Sequence, residues 1–227
     1  QEVLAILDPK PGEIAIDATL GYGGHTREIL GKLQPGGILY GLDVDPIELP
    51  KTEARLRIAG YGPECFVAIQ ANFASLPKIL SAIEHPCVDM ILADLGVSSM
   101  QIDNPERGFS FKNNGPLDMR MNQEKGETAS QLINRITEKK IASLLRENSD
   151  EPDSAIIAHA IFENRKDIET TMALTRIIQN TLSALKRSDR EIVKSERRVY
   201  QALRIDINGE LSALETLLAN LPYCLKP

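Results

Sequence analysis

The stretch Asp17-Ala-Thr-Leu-Gly21-Tyr-Gly23-Gly24-His25 constrains this chain more than any other. An apolar run over residues 13–17 precedes it and an amphipathic run over residues 26–33 follows it, so the order reads strand, glycine turn, helix. Glycine lets the backbone take positive φ and approach a ligand closely. The helix that follows opens with amide N–H groups that have no intrahelical acceptor. Downstream, Ile38-Leu-Tyr-Gly-Leu-Asp43 reads as the next strand. It ends in an acid about 20 residues after the glycines, the spacing at which a carboxylate takes ribose hydroxyls in a Rossmann-like fold.

Loop and acid together predict a nucleotide-type cofactor. The competing reading is a purely structural turn, since glycine turns between a strand and a helix are common, and it is the acid at Asp43 that weighs against it. A dinucleotide fingerprint wants Gly or Ala at position 26, for close packing of helix on strand. Thr26 stands there instead. A cofactor with a ribose but no pyrophosphate fits better, and S-adenosylmethionine is the obvious one.

The same alternation continues to residue 94. Strands are predicted at 13–17, 38–43, 65–71 and 88–94, with helices at 25–33, from Asp45 as cap and Pro46 as first residue to about 59, and at 75–83. Near-continuous apolar strands are those of a parallel sheet covered on both faces. Residues 95–127 have no sustained period; a stretch that long inside a compact domain is functional or disordered, and its aromatics and methionines argue for order. From Thr128 the pattern is helical: 128–136, 137–146 and 153–164 with caps at Thr128, Thr137 and Asp153, then 171–186. Residues 188–221 read as one long helix that Gly209 weakens without ending. The fold class expected is α/β, a Rossmann-like sheet with an inserted all-helical domain. The expected division is 1–103 with 196–227 as the sheet domain and 104–195 as the insertion.

With 227 residues the chain suggests one or two domains and can bury a real core. A net charge of −6 argues against a protein that coats nucleic acid by charge alone, and leaves a local basic face open. Cys65, Cys87 and Cys224 are scattered and odd in number, so neither a disulfide framework nor a zinc or other metal site is expected. That cysteine usage makes a reducing cytoplasm the simplest compartment; separately, no run approaches a membrane span and no signal peptide is visible. A chain that starts at Gln1 rather than Met reads as a piece of a longer one. The oligomeric state stays open, a dimer included.

Reactive groups in open α/β sheets gather beyond the carboxyl ends of the strands. Asp94, followed by Leu-Gly-Val-Ser98-Ser99, is therefore expected at the same crevice as Gly21 and Asp43; the bland alternative is a turn cap. Gly115-Pro-Leu-Asp118-Met-Arg120-Met121 pairs a carboxylate with a guanidinium, able to close over a cofactor and grip an anionic substrate, or to form only a local ion pair. Phe109 and Phe111 could stack on a base, although in isolation they read better as loop anchors in the core. His25 suits positioning rather than proton transfer. Lys186, Arg187, Arg190, Lys194, Arg197, Arg198 and Arg204 concentrate positive charge, diluted by Asp189, Glu191 and Glu196: a phosphate-facing surface or a solvated helix face.

Asp-Ala-Thr-Leu-Gly-Tyr-Gly-Gly-His, Ala-Asp-Leu-Gly-Val-Ser-Ser-Met-Gln, Glu-Arg-Gly-Phe-Ser-Phe, Gly-Pro-Leu-Asp-Met-Arg-Met and Tyr-Gln-Ala-Leu-Arg-Ile together resemble the MraW/RsmH-type family, spread over residues 12–221. The resemblance implies an S-adenosylmethionine-dependent enzyme that methylates N4 of a cytidine in the decoding region of small-subunit ribosomal RNA. It implies cofactor contacts at Gly23, Gly24, His25, Asp43, Phe73, Asp94 and Gln101. Asp94, Asp118 and Ser98 become the catalytic candidates, with Asp118 ahead of Ser98 as acceptor of the amine proton. Phe109, Arg120, Lys194, Arg197 and Arg198 become the RNA candidates. The chain departs from the family pattern ahead of Val199, where Lys194-Ser-Glu-Arg-Arg198 replaces His-Pro-Ala-Thr-Arg, and at Asn148-Ser-Asp-Glu151, which replaces Tyr-Gly-Glu-Glu. It also stops at Lys226-Pro227, ahead of the family's Gly-Gly-Arg-Leu strand. The alternatives are an S-adenosylmethionine-dependent methyltransferase on another substrate, and a non-catalytic ribosome-binding relic.

Overall fold

The structure is a computed structural model that describes residues 2–227. In chain order its elements are α1 (Glu2–Leu7), β1 (Ile14–Asp17), α2 (Gly24–Leu33), β2 (Ile38–Asp43), α3 (Glu48–Ile58), β3 (Phe66–Gln70), α4 (Leu76–Ala82), β4 (Met90–Leu92), α5 (Ser99–Asp103), α6 (Ala129–Arg135), α7 (Glu138–Ser149), α8 (Ser154–Asn164), α9 (Thr171–Ala184), α10 (Asp189–Asn208) and α11 (Glu210–Cys224). They form two compact units, one of residues up to Ser98 together with Leu211–Pro227, the other Ser99–Glu210.

The first unit is built on a parallel sheet of order β3-β2-β1-β4. The chain runs outward from β1 through β2 to β3, then crosses back to place β4 on the other side of β1. That reversal puts the topological switch between β1 and β4, where ligands bind beyond the carboxyl ends of the strands. Side chains alternate between faces along each strand. Ala15, Leu39 and Phe66 pack with Ile29, Leu30 and Leu33 of α2 and Leu49 and Leu56 of α3. Ile16, Tyr40 and Leu42 take the other face, against Leu76, Ile79 and Leu80 of α4 and Leu217 of α11. Both faces are covered, which is why the strands read as continuous apolar runs. Asp45 does cap a turn, accepting from the amides of Ile47 at 2.9 Å and Glu48 at 3.2 Å, and α3 starts only at Glu48, two residues after the Pro46 start expected.

The second unit is helical, with a core that includes Leu132, Ile141, Leu145, Ile157, Leu174, Ile178, Val199 and Leu203. Thr128 opens α6 with a reciprocal capping box to Gln131, and Thr137 caps α7 by accepting from the Lys140 amide. The Asp153 side chain makes no cap bond to α8; its carboxylate takes the Arg187 guanidinium at 2.7 and 3.0 Å, a charged donor in preference to an amide.

The long aperiodic stretch is ordered. Arg107, Leu117 and Met119 in it are at most 2% exposed. Arg107 donates to the carbonyls of Arg120 at 3.1 Å and Met121 at 2.8 Å, and Met119 donates its amide back to the Arg107 carbonyl at 3.0 Å. Two segments of loop are thereby laced together, so tightly that a Cβ on Gly115 would run into the Pro105 carbonyl.

Two expectations need correction. Residues 188–221 are not one helix: Gly209, at φ 58°, takes the left-handed conformation that closes α10, and α11 starts at Glu210. The boundary between the units also moves. Residues 99–103 and 196–210 fall in the helical unit, because α10 is a single helix whose Val199, Tyr200 and Leu203 belong to the helical core.

Candidate functional site

The corner beyond β1 and β2 is held by carboxylates and threonines. Asp17, 2% exposed, closes β1; its Oδ2 accepts the Thr26 hydroxyl at 2.6 Å and its Oδ1 the Thr19 amide at 3.1 Å. Burial pushes the Asp17 carboxyl up, against the pull of those two bonds. The loop is thus tied at both ends, at β1 and at the first turn of α2. Gly21 and Gly23 take φ values of 48° and 82°, and Gly23 is the N-cap of α2 without a side-chain cap. The first-turn amides of a helix lack intrahelical acceptors and carry the positive end of its dipole. Around Gly24 a Cβ would meet nothing within 4 Å, so the approach to that turn is open.

Asp43 ends β2 beside the loop. Its Oδ2 accepts the Gly21 amide at 2.8 Å and its Oδ1 the Asp45 amide at 2.9 Å. Burial raises its carboxyl above the ordinary 3.8, and the nearby Asp45 and Asp17 charges add to that. Each oxygen has one lone pair left for a further donor. Phe73, half-buried beyond β3, packs against the sheet core on the face that α4 covers.

Beyond β4, the Asp94 amide donates to the Thr19 hydroxyl at 2.7 Å, which couples the ends of β1 and β4. The Asp94 carboxylate is exposed and lies 3.5 Å from His25 Nε2. Ser98, half-buried, has its Cβ 4.0 Å from the position a Gly21 Cβ would take. Gly21, Gly23, Gly24, His25, Asp43, Asp94 and Ser98 are therefore assembled in one unit, at the carboxyl edge of its sheet.

The remaining candidates belong to the helical unit. Gln101 is buried there, 6% exposed. Asp118 receives four donors: Arg120 N at 3.0 Å and Nε at 2.7 Å on Oδ1, Arg120 Nη2 at 2.8 Å and Gln123 Nε2 at 3.2 Å on Oδ2. Those donors hold its carboxyl below the usual value despite burial, which acts the other way. Arg120 Nη1 turns to the Gly126 carbonyl at 3.3 Å, so every guanidinium nitrogen of Arg120 is engaged inside the loop. Phe109 packs on the helical core with the Arg107 guanidinium 5.7 Å from its ring centroid, the loop-anchor geometry. On α10, Lys194 and Arg197 are exposed, whereas Arg198 lies 3.9 Å from the fully buried Glu151. Among the described residues no group of three or more His, Cys, Asp or Glu side chains is placed to hold a metal ion.

Asp17, Thr19 and Thr26 are site-forming residues that pattern reading missed. Thr26 registered only as a departure from the dinucleotide fingerprint. Its role is visible in the bond it makes: the hydroxyl satisfies a buried carboxylate that Gly or Ala could not.

The family profile described as the MraW methylase family matches residues 1–227. The chain belongs to this family. A protein from Alkaliphilus metalliredigens named Ribosomal RNA small subunit methyltransferase H 2 is 48% identical over 229 residues, covering 99% of this chain and 65% of that protein. One from Lachnoclostridium phytofermentans, Ribosomal RNA small subunit methyltransferase H 1, is 47% identical over 99% of this chain and 62% of its own length. One from Sorangium cellulosum, Ribosomal RNA small subunit methyltransferase H, is 39% identical over all of this chain and 70% of its own length. The chain thus spans somewhat less than two thirds of the first two relatives.

Proposed function

We propose that this chain binds S-adenosylmethionine and directs its methyl group to N4 of a cytidine in small-subunit ribosomal RNA, in the cytoplasm. Family membership and the relatives' names support the substrate. The observation that carries the cofactor is the uncapped start of α2 beside the Asp43 carboxylate. The residues present fit such a cofactor: Asp43 has lone pairs for ribose hydroxyls, Gly23 and Gly24 admit close approach, and Phe73 offers a face to an adenine. When bound, the cofactor supplies a methyl on a sulfonium, an electrophile that needs no acid to activate it.

The chain's own task is then alignment and a place for one proton. Asp94 and His25 form a polar pair at the rim that orients the cofactor. The cytosine amine, poorly nucleophilic because its lone pair is delocalised, becomes strongly acidic as the new bond forms, so a weak base is enough. Asp118 stays ionised under its four donors and suits that role if the longest bond, from Gln123, gives way to the amine. Ser98 is the second candidate. Arg120 keeps Asp118 charged, and Lys194 and Arg197 present positive charge to RNA phosphates.

A tritiated-methyl assay on isolated small subunits, with the full-length protein, tests the function. Label in RNA and as N4-methylcytidine is the expected result. Label in protein only, or cofactor binding with no transfer, would refute it.

A further inference from the structure

The glycine loop is met from α3 as well as from the sheet. Thr52 on α3 is fully buried. Its hydroxyl donates to the Gly21 carbonyl at 2.6 Å and accepts from Arg55 Nη2 at 2.5 Å. Its methyl fills the space a side chain at Gly23 would need, since a Cβ there would come within 2.8 Å of Thr52 Cγ2. The Arg55 guanidinium lies 4.0 Å from the centroid of the Tyr22 ring. Three consecutive loop residues are therefore each touched from one helix. The Gly21 residue is held by its N–H on Asp43 and by its C=O on Thr52.

We propose that Thr52 is a positioning residue for the cofactor: its hydroxyl, backed by Arg55, fixes the Gly21–Gly24 loop in the binding conformation. This rests on the reading of that loop as the cofactor site. A segment with three glycines in four residues has many conformations open to it, and the apparent affinity of a ligand falls with the fraction of the chain in the competent one. Asp43 restrains the amide side of Gly21; with the carbonyl side released, the Gly21–Tyr22 peptide plane can turn against the remaining backbone tie across the turn, the Gly23 amide on the Leu20 carbonyl at 2.8 Å, and shift the start of α2 that Gly24 opens. The effect belongs to binding and not to the transfer step.

The test is calorimetry with S-adenosylhomocysteine, together with steady-state methyl transfer, on the full-length protein. Thr52→Val keeps the methyl that faces Gly23 and removes the hydroxyl; Thr52→Ser does the reverse. With the competent fraction cut to about a tenth, Thr52→Val should bind about tenfold more weakly and raise the cofactor KM by as much, leaving kcat at saturation within about twofold. Thr52→Ser should stay within about threefold of the parent by the same relation. A merely structural role would lower the melting temperature of both variants without separating KM from kcat. Binding by Thr52→Val within about twofold of the parent, or an equal loss in Thr52→Ser, overturns the proposal. If Thr52→Val does not fold, Thr52→Ala, a better helix former, takes its place in the comparison. Asp43→Ala is the companion arm. Lost affinity there with none in Thr52→Val removes only the brace; unchanged affinity in both removes the cofactor reading as well.

Discussion

Asp43→Asn keeps the size of the side chain that the cofactor reading sets under the ribose and removes its charge. Both carboxylate oxygens already accept a backbone amide, from Gly21 at 2.8 Å and Asp45 at 2.9 Å. An Asn has one acceptor oxygen, so whichever way the amide turns, its NH2 faces one of those N–H groups. The ribose then meets a weaker acceptor on a loosened loop. A charge-assisted hydrogen bond contributes about 1.5–3 kcal/mol, which corresponds to a loss of about 10- to 100-fold in affinity. Stability moves less, because the wild-type carboxylate bears a desolvation cost, visible in its raised pKa, that the neutral amide does not. The sign of the pH effect follows from the same shift. Ribose donors favour the ionised form, so binding releases protons near the raised pKa, and affinity falls as pH drops toward it, starting above the ordinary 3.8. Calorimetry of S-adenosylhomocysteine across pH, with melting as the fold control, reads both effects. The variant should bind weakly and lose this pH dependence. Unchanged affinity, or a pH dependence that persists in a folded variant, would refute the assignment of Asp43.

Neutralising Lys194 and Arg197 to Gln should weaken RNA binding and reduce the salt slope by about 0.7–0.9 for each phosphate no longer neutralised, with cofactor affinity unchanged; an identical slope moves the RNA face elsewhere. Arg198→Gln should instead act on stability, by about 1 kcal/mol, because it takes the nearest cation away from the buried Glu151 carboxylate, and Glu151→Gln in the same chain should recover most of the loss in a denaturant titration. Asp118 has a lowered carboxyl, so its stabilisation is full above 3.8 and lost as pH falls through the folded value; Asp118→Asn should flatten that acid-side loss in denaturant titrations. Gly209→Ala should cost about 1 kcal/mol, seen as a melting temperature lower by about 2–4 °C, with no gain of helix by circular dichroism, since the left-handed turn and not helix propensity separates α10 from α11.

The sheet and the corner where the glycine loop meets Asp43 were legible because their determinants lie close along the chain. Alternation of apolar strands with amphipathic helices is local, and so is the step from the glycines to Asp43, which spans one βαβ unit. The braces of that corner were not legible. Thr52 reads as an ordinary helix residue until α3 is folded back on the loop, and nothing in the spacing of Gly21 and Thr52 marks their hydrogen bond. Arg107 likewise looks like one more surface cation in an aperiodic stretch. Its burial is intelligible only once Arg120 and Met121 turn their carbonyls toward it.

The basic run on α10 shows the limit most directly. Lys194, Arg197 and Arg198 form one cluster on paper, and composition has no means to separate them. A helix turns each residue by about 100° from the last, so neighbours such as Arg197 and Arg198 cannot face the same way. Arg197 faces solvent, while Arg198 turns to Glu151 just past the close of α7, beside Ser195, whose hydroxyl donates to the same carboxylate at 3.1 Å. The charge available to an RNA backbone is therefore smaller than the run suggests, and one of its members answers to the helical core. That division is the reason salt-slope and stability experiments should sort adjacent arginines into different classes: Arg197 by its effect on binding, Arg198 by its effect on folding.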